Sequence, residues 1–212
     1  MTRRSASDKE YFVQDWFAAR LRASYDIKPL GRNSHPDFLI TANGVTEGFE
    51  LKALANVHPG KRDRTQQPCR TTVDFNSTVP CGRFIRGDQT LQCYYLFLLY
   101  EEAGDREGLQ VDGIALTIAH GNLLNHDLRI AQSHKNTSEG NFGSYGDGLI
   151  RTRKMYLFPN PLTHPRLRYR CRLIIPHDVT PRDLSLTRFA TLKKRDVSGA
   201  EWPFHIYGLN ER

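Results

Sequence analysis

A short stretch of the chain, from Pro36 to Lys52, holds the residue types best suited to chemistry. Two alternating runs flank Asn43-Gly44, which is the strongest short signal for a β-hairpin with a two-residue turn. In that register Asp37 lies opposite Glu50, and directly opposed side chains share a face with Cβ atoms about 5 Å apart. The hairpin therefore predicts two carboxylates held side by side.

Lys52 lies two positions after Glu50 and shares its face, because side chains alternate along a strand. Paired carboxylates suit Mg²⁺, which takes oxygen ligands and completes its shell with water and substrate phosphates. The pattern predicts hydrolysis of a phosphodiester, in which Mg²⁺ generates the attacking hydroxide and Lys52 orients or activates it. The opposite face of the hairpin carries apolar side chains that suit a protein core, namely Phe38, Ile40, Phe49 and Leu51.

Pro36-Asp37, followed after twelve residues by Glu50-Leu51-Lys52, resembles the motif of the PD-(D/E)XK nuclease superfamily. The resemblance implies that Asp37 and Glu50 bind Mg²⁺ and that Lys52 is catalytic. It also implies an α/β fold, with a central mixed β-sheet flanked by helices as in the restriction-endonuclease-like core, and with long DNA-binding loops.

The elements that must position this hairpin begin with a helix. Ser7-x-x-Glu10 is a capping box ahead of a helical apolar pattern and predicts a helix over about residues 8–24. In the superfamily an acidic residue of the helix before the hairpin sometimes joins the metal site, and Glu10 is the candidate here. Apolar runs predict central strands at Tyr94–Tyr100 and Gly113–Ala119. Further predicted elements are strands at 154–158 and 170–175, helical spacing at 122–134, and a helix from Thr180-Pro181 to about Arg195.

The chain of 212 residues fits one domain, residues 1–212, with a formal net charge of +7 from 30 Lys and Arg against 23 Asp and Glu. The positive charge favours an anionic partner, and we expect double-stranded DNA. No apolar run approaches the roughly 20 residues of a membrane span, so no membrane partner is expected. The basic start lacks a following apolar stretch, and the four cysteines form no Cys-x-x-Cys pair. A cytoplasmic location in a bacterium or archaeon is expected.

Two long segments rich in Gly, Pro, Asn and Arg, at about 55–90 and 133–153, are predicted to be DNA-binding loops. Their Lys and Arg residues suit phosphates, and their Arg, Asn and Gln side chains suit base edges in the major groove. An alternating basic series from Arg166 to Arg172 is expected to follow a nucleic acid backbone. The candidate DNA contacts are Lys61, Arg62, Arg64, Gln66, Gln67, Arg70, Asn76, Ser77, Thr78, Arg83, Lys135, Asn136, Asn141, Arg151 and Arg153.

These features together favour a type II restriction endonuclease, an Mg²⁺-dependent enzyme that cuts double-stranded DNA at a sequence it reads itself. Such enzymes are commonly homodimers, since a two-fold protein matches a two-fold DNA site. A cognate DNA methyltransferase is expected as a genetic partner and not a physical one. Three alternatives stay open: a structure-specific nuclease such as a junction resolvase or repair nuclease, a nuclease acting mainly on RNA, and a nucleic-acid-binding protein without catalysis.

Overall fold

The computed structural model describes residues 6–30, 36–55, 73–75, 83–86, 88–103, 110–124, 126, 142–144, 150–152, 155–157, 171–181, 185–196 and 198–209. Within these residues the chain forms a long helix, α1 (Ala6–Leu21), and thirteen strands. The strands are β1 (Asp26–Pro29), β2 (Phe38–Ala42), β3 (Val45–Ala55), β4 (Val73–Phe75), β5 (Arg83–Arg86), β6 (Gln89–Ala103), β7 (Gln110–His120), β8 (Phe142–Ser144), β9 (Ile150–Thr152), β10 (Met155–Leu157), β11 (Cys171–Pro176), β12 (Leu186–Arg195) and β13 (Glu201–Leu209).

Eight strands form one open sheet in the order β1-β2-β3-β6-β7-β11-β13-β12, and β5 pairs with β6 outside this path. β3 and β6 are parallel, as are β7 and β11, whereas the other neighbours on the path are antiparallel. The predicted central mixed sheet is therefore confirmed. Every residue from Cys93 to Tyr100 in β6 is buried. An apolar run of this kind is expected for a strand covered on both faces.

A hydrophobic core lies on each face of the sheet. On one face, Val13 and Phe17 of α1 pack with Phe38, Leu51 and Leu96 of the strands beneath. The other face holds a second core that includes Tyr95 and Phe97 of β6, Leu123 and Leu124 of a short helical segment, and Ile174, Phe204 and Ile206 of the C-terminal strands. The helix and the short segment thus cover opposite faces of the central strands.

Most of the predicted elements are confirmed. The helix predicted at 8–24 is α1, and the predicted central strands lie inside β6 and β7. The strands predicted at 154–158 and 170–175 correspond to β10 and β11. Of the helical spacing at 122–134, residues 122–124 and 126 are helical, and the remainder lies outside the described residues. No helix in the described part of the chain is long and apolar enough to cross a membrane.

The helix predicted at residues 180–195 is wrong, because this segment contains the edge strand β12. β12 pairs along its length with β13, and this non-local pairing outweighs the local helix signals before it. A bulge at Phe189 also breaks the two-residue alternation of a strand. It leaves Leu186, Phe189 and Ala190 at spacings of three and four, which imitates helical periodicity.

Candidate active site

The β2–β3 hairpin has the register that its sequence predicts. The turn residues Asn43-Gly44 have φ angles of 50° and 75°, the left-handed pair of a type I′ turn. From this turn the ladder runs to the pairing of Phe38 with Phe49. One further step along the same register places Asp37 level with Glu50.

Asp37 lies immediately before β2 and is half-buried. Its carboxylate Oδ2 accepts a hydrogen bond from the backbone N–H of Leu51 at 2.8 Å, so the side chain reaches across to β3. The backbone carbonyl of Asp37 accepts a hydrogen bond from the N–H of Leu30 at 3.0 Å, which ties the residue to the chain after β1. Two neighbouring segments therefore hold the Asp37 carboxylate beside the peptide that joins Glu50 to Leu51.

Glu50 and Lys52 form an ion pair on one face of β3. Lys52 Nζ donates to Glu50 Oε1 at 2.6 Å. The side chain of Glu50 is 7% exposed and that of Lys52 is 19% exposed, so the pair is largely removed from water. The register of β3 with β6 places Tyr95 beside Glu50 and Phe97 beside Lys52, and both aromatic side chains are fully buried. The structure thus brings Asp37, Glu50 and Lys52 to one end of the hairpin.

The other face of the hairpin packs as its sequence predicts. Phe38 and Leu51 are buried beneath α1, and Ile40 and Phe49 pack against the same cluster. This packing fixes which face β3 turns toward α1, because a shift of one residue would exchange its two faces. The apolar side chains of the hairpin thereby set the orientation of the two acids and the amine.

Arg172 shares the face that carries the candidate site. The strand registers align Lys52 with Phe97, then Thr117, then Arg172, three strand spacings or about 14 Å away. Burial lowers the pKa of Arg172 to about 10, so the guanidinium stays charged at neutral pH. The expectation that Arg172 follows a nucleic acid backbone is wrong, because its side chain is buried in the sheet. The other members of that series lie outside the described residues.

Thr117 was not predicted as a site residue, although it is fully buried on the same face. The apolar run around Thr117 predicted only a central strand. A single polar residue within such a run does not by itself indicate a functional site. The pairing of β7 with β6 and β11, which places Thr117 in line with the site, depends on contacts that are distant in sequence.

The carboxylates of Asp37 and Glu50 fit an Mg²⁺ ion in their chemistry. Mg²⁺ is commonly held by one or two protein carboxylates, with water and substrate phosphates as the other ligands. Among the described residues no cluster of three or more His, Cys, Asp or Glu side chains has metal-binding geometry. Glu10, the third acid considered from the sequence, lies in α1, and its side chain is not described. The described donors are therefore the two carboxylates of the hairpin.

Most of the predicted DNA contacts lie outside the described residues. Arg83 is the first residue of β5 and Arg151 lies in β9, although their side chains are not described. β4 and β10 pair with each other, Phe75 opposite Met155. This ladder joins a part of the first predicted loop to the strand that follows the second predicted loop in sequence. The contacts not described are Lys61, Arg62, Arg64, Gln66, Gln67, Arg70, Asn76, Ser77, Thr78, Lys135, Asn136, Asn141 and Arg153.

Comparisons of the chain with protein-family models, with curated proteins and with solved structures found no match.

Proposed function

We propose that the chain is an Mg²⁺-dependent, sequence-specific endonuclease for double-stranded DNA, of the type II restriction kind. One observation carries the proposal: the ion pair of Glu50 and Lys52 is largely buried beside the Asp37 carboxylate. Buried ion pairs contribute little to stability compared with apolar side chains of similar size. Titratable groups brought together in this way are typical of functional sites.

Each of the three residues has a distinct part in this reaction. Asp37 and Glu50 would hold Mg²⁺, which when bound would activate water and neutralise charge on the phosphate. Lys52 Nζ donates a hydrogen bond to Glu50 in this arrangement. As a cation beside a proposed metal ligand, Lys52 would orient the attacking water and stabilise the negative charge that develops on the phosphate oxygens.

Two further features support DNA as the substrate. The formal net charge is +7, and the predicted loops at about 55–90 and 133–153 carry Lys and Arg side chains that suit phosphates. Residues of these segments would read bases, and a homodimer would match a two-fold DNA site. Light scattering of the DNA-bound protein should give the mass of two chains plus one duplex, and the mass of one chain plus one duplex would reject the dimer.

Cleavage of long duplex DNA of known sequence tests the proposal, with Mg²⁺ or with EDTA. Asp37→Asn and Glu50→Gln remove the negative charge and keep side-chain size, and Asn retains an oxygen acceptor for the N–H of Leu51. Glu47→Gln is the matched control, because Glu47 lies on the same strand with its side chain on the other face.

Discrete fragments that require Mg²⁺, that persist in Glu47→Gln and that disappear in both site variants are expected. Activity that survives in Asp37→Asn and Glu50→Gln would reject this site. A smear would indicate cutting without sequence specificity. Duplex that stays intact while branched DNA is cut would replace this proposal with a structure-specific nuclease.

A further inference from the structure

The C-terminal hairpin of β12 and β13 turns a polar face away from the candidate active site. Phe204 and Ile206 of β13 are buried in the core on the face of Glu50. Because side chains alternate, His205 and Tyr207 lie on the opposite face. Arg188 pairs with Tyr207 and Thr191 with His205, so these four side chains share that face. Arg188 and Thr191 are exposed.

His205 is the centre of this group. Arg188 Nη1 lies 3.3 Å from His205 Nε2, and Thr191 Oγ1 lies 3.2 Å from His205 Nδ1. A guanidinium only donates hydrogen bonds, so Nε2 accepts, Nδ1 carries the hydrogen and Thr191 Oγ1 accepts from it. The imidazole is therefore neutral in this arrangement. Burial, the Arg188 charge and the nearby His177 all lower its pKa below the ordinary value.

The charges on this face are unequally compensated. Lys193 and Arg195 of β12 both pair with Glu201, at 2.8 Å and 2.9 Å. Among the described residues no carboxylate pairs with Arg188, whose hydrogen bond is to His205. A guanidinium has five N–H donors in a planar fork that suits phosphate oxygens. Arg188 is thus an exposed cation with donors left for an anion, beside an imidazole that becomes a cation on protonation.

Aromatic rings flank the same position. The ring of His177 lies 6.5 Å from that of His205, and the ring of Tyr207 lies 6.3 Å from it, both nearly perpendicular. His177 is exposed and Tyr207 is half-buried at the surface. Aromatic side chains on an open sheet, next to arginines, provide stacking surfaces for bases while the cations bind phosphates. This combination suits a nucleic acid better than a free phosphate ion.

We propose that Arg188 and His205 form a second nucleic-acid-binding site, in which the remaining donors of the Arg188 guanidinium hold a backbone phosphate beside the imidazole, with Tyr207 and His177 next to it. The site lies on the face of the sheet opposite Asp37 and Glu50 and needs no metal. The inference rests on the proposed function only for the choice of nucleic acid as the anion. It extends that function by a contact that anchors DNA away from the scissile bond.

Binding of fluorescein-labelled DNA, both single-stranded and duplex, in EDTA, followed by fluorescence anisotropy, tests the site without cleavage. Arg188→Gln should weaken binding about 5- to 20-fold and reduce the slope of log K against log salt concentration by about one. Lys193→Met is the matched control on the same strand, and its binding should change less than about twofold, because Glu201 already compensates Lys193.

The site would be overturned if the wild-type chain does not bind DNA, or if Arg188→Gln binds DNA as tightly as the wild type. An equal loss of affinity in Lys193→Met would also overturn it. So would displacement of the DNA by inorganic phosphate at a concentration equal to that of the DNA phosphate groups. Cleavage with Mg²⁺ is measured separately. Protein that binds through Arg188 and never cuts would keep this site and reject the nuclease.

The imidazole gives a second readout. The groups that face His205 are Arg188 and Thr191 of β12, His177 after β11, and Tyr207 of its own strand. A phosphate bound beside the ring favours imidazolium, so NMR titration should show the pKa of His205 rising when the oligonucleotide is added. A pKa that stays unchanged in saturating DNA would overturn the role of His205.

Discussion

At the scale of single residues, the ion pair of Glu50 and Lys52 is the feature that most needs an explanation. Its oxygen and nitrogen atoms lie 2.6 Å apart with little access to water. Removing two charges from water costs nearly as much as their attraction returns. An apolar pair at these positions would pack well against Tyr95 and Phe97. A pair that adds little stability is consistent with selection for chemistry.

Lys52→Met should therefore destabilise the protein, because it removes the cation next to a nearly buried carboxylate. We expect the free energy of unfolding to fall by about 3 kcal/mol in urea denaturation. The double variant Glu50→Gln/Lys52→Met should recover at least half of that loss, since it removes both charges together. Both variants should lack nuclease activity. Recovery of activity together with stability in the double variant would mean that the pair is structural.

The candidate site could be predicted because it depends on local information. Asn43-Gly44 sets the hairpin register, and that register alone places Asp37 beside Glu50. The position of Arg172 could not be predicted in this way. Its burial results from the pairing of β11 with β7 and β13, which lie far away in sequence. Alternation along the chain showed which residues share a face but not which face is covered.

At the scale of elements, the type I′ turn between β2 and β3 holds the register that the site requires. Gly44 has φ of 75°, and a Cβ there would meet no atom within 4 Å. Gly44→Ala should lower the free energy of unfolding by about 1 kcal/mol, from the left-handed backbone alone. Asn43→Gly is the control and should cost less, because glycine adopts positive φ freely. Urea denaturation measures both, and equal stability of wild type and Gly44→Ala would contradict the turn geometry.

The turn between β12 and β13 depends on Asp196. Its carboxylate accepts hydrogen bonds from the Ser198 hydroxyl, the Trp202 indole, and the N–H groups of Ser198 and Ala200. These bonds lower the pKa of Asp196 to about 2, and the hydrogen bond from the Ser198 hydroxyl is the largest cause. The stability they add is complete above the ordinary pKa near 3.8 and is lost as pH falls through about 2.

NMR titration of Asp196 should give this low pKa in the wild type. In Ser198→Ala it should rise toward the ordinary value, because the largest cause of the shift is removed. Trp202→Phe should produce a smaller rise of the same sign. An Asp196 pKa of about 4 in the wild type would show that the turn is not closed by this carboxylate in solution.

At the scale of the whole molecule, part of the positive charge behind the net value of +7 lies on an edge of the open sheet. β12 ends the sheet, with Arg188, Lys193 and Arg195 on one of its faces. Charged residues on an edge strand also discourage pairing with another chain. The central strands could be predicted from apolar runs, whereas the order of the strands and the identity of the edge depend on non-local pairing.

DNA binding should depend strongly on salt and on the acids of the site. Because each neutralised phosphate adds about 0.9 to the slope of log K against log salt concentration, affinity in EDTA should fall at least 100-fold between about 50 and 200 mM salt. Asp37→Asn should bind more tightly than wild type in EDTA, since without a metal the Asp37 carboxylate repels the phosphate. Mg²⁺ should remove that difference by tightening the wild type. Affinity that is unaffected by salt would show that phosphate contacts do not drive binding. Weaker binding by Asp37→Asn in EDTA would show that DNA does not reach this carboxylate.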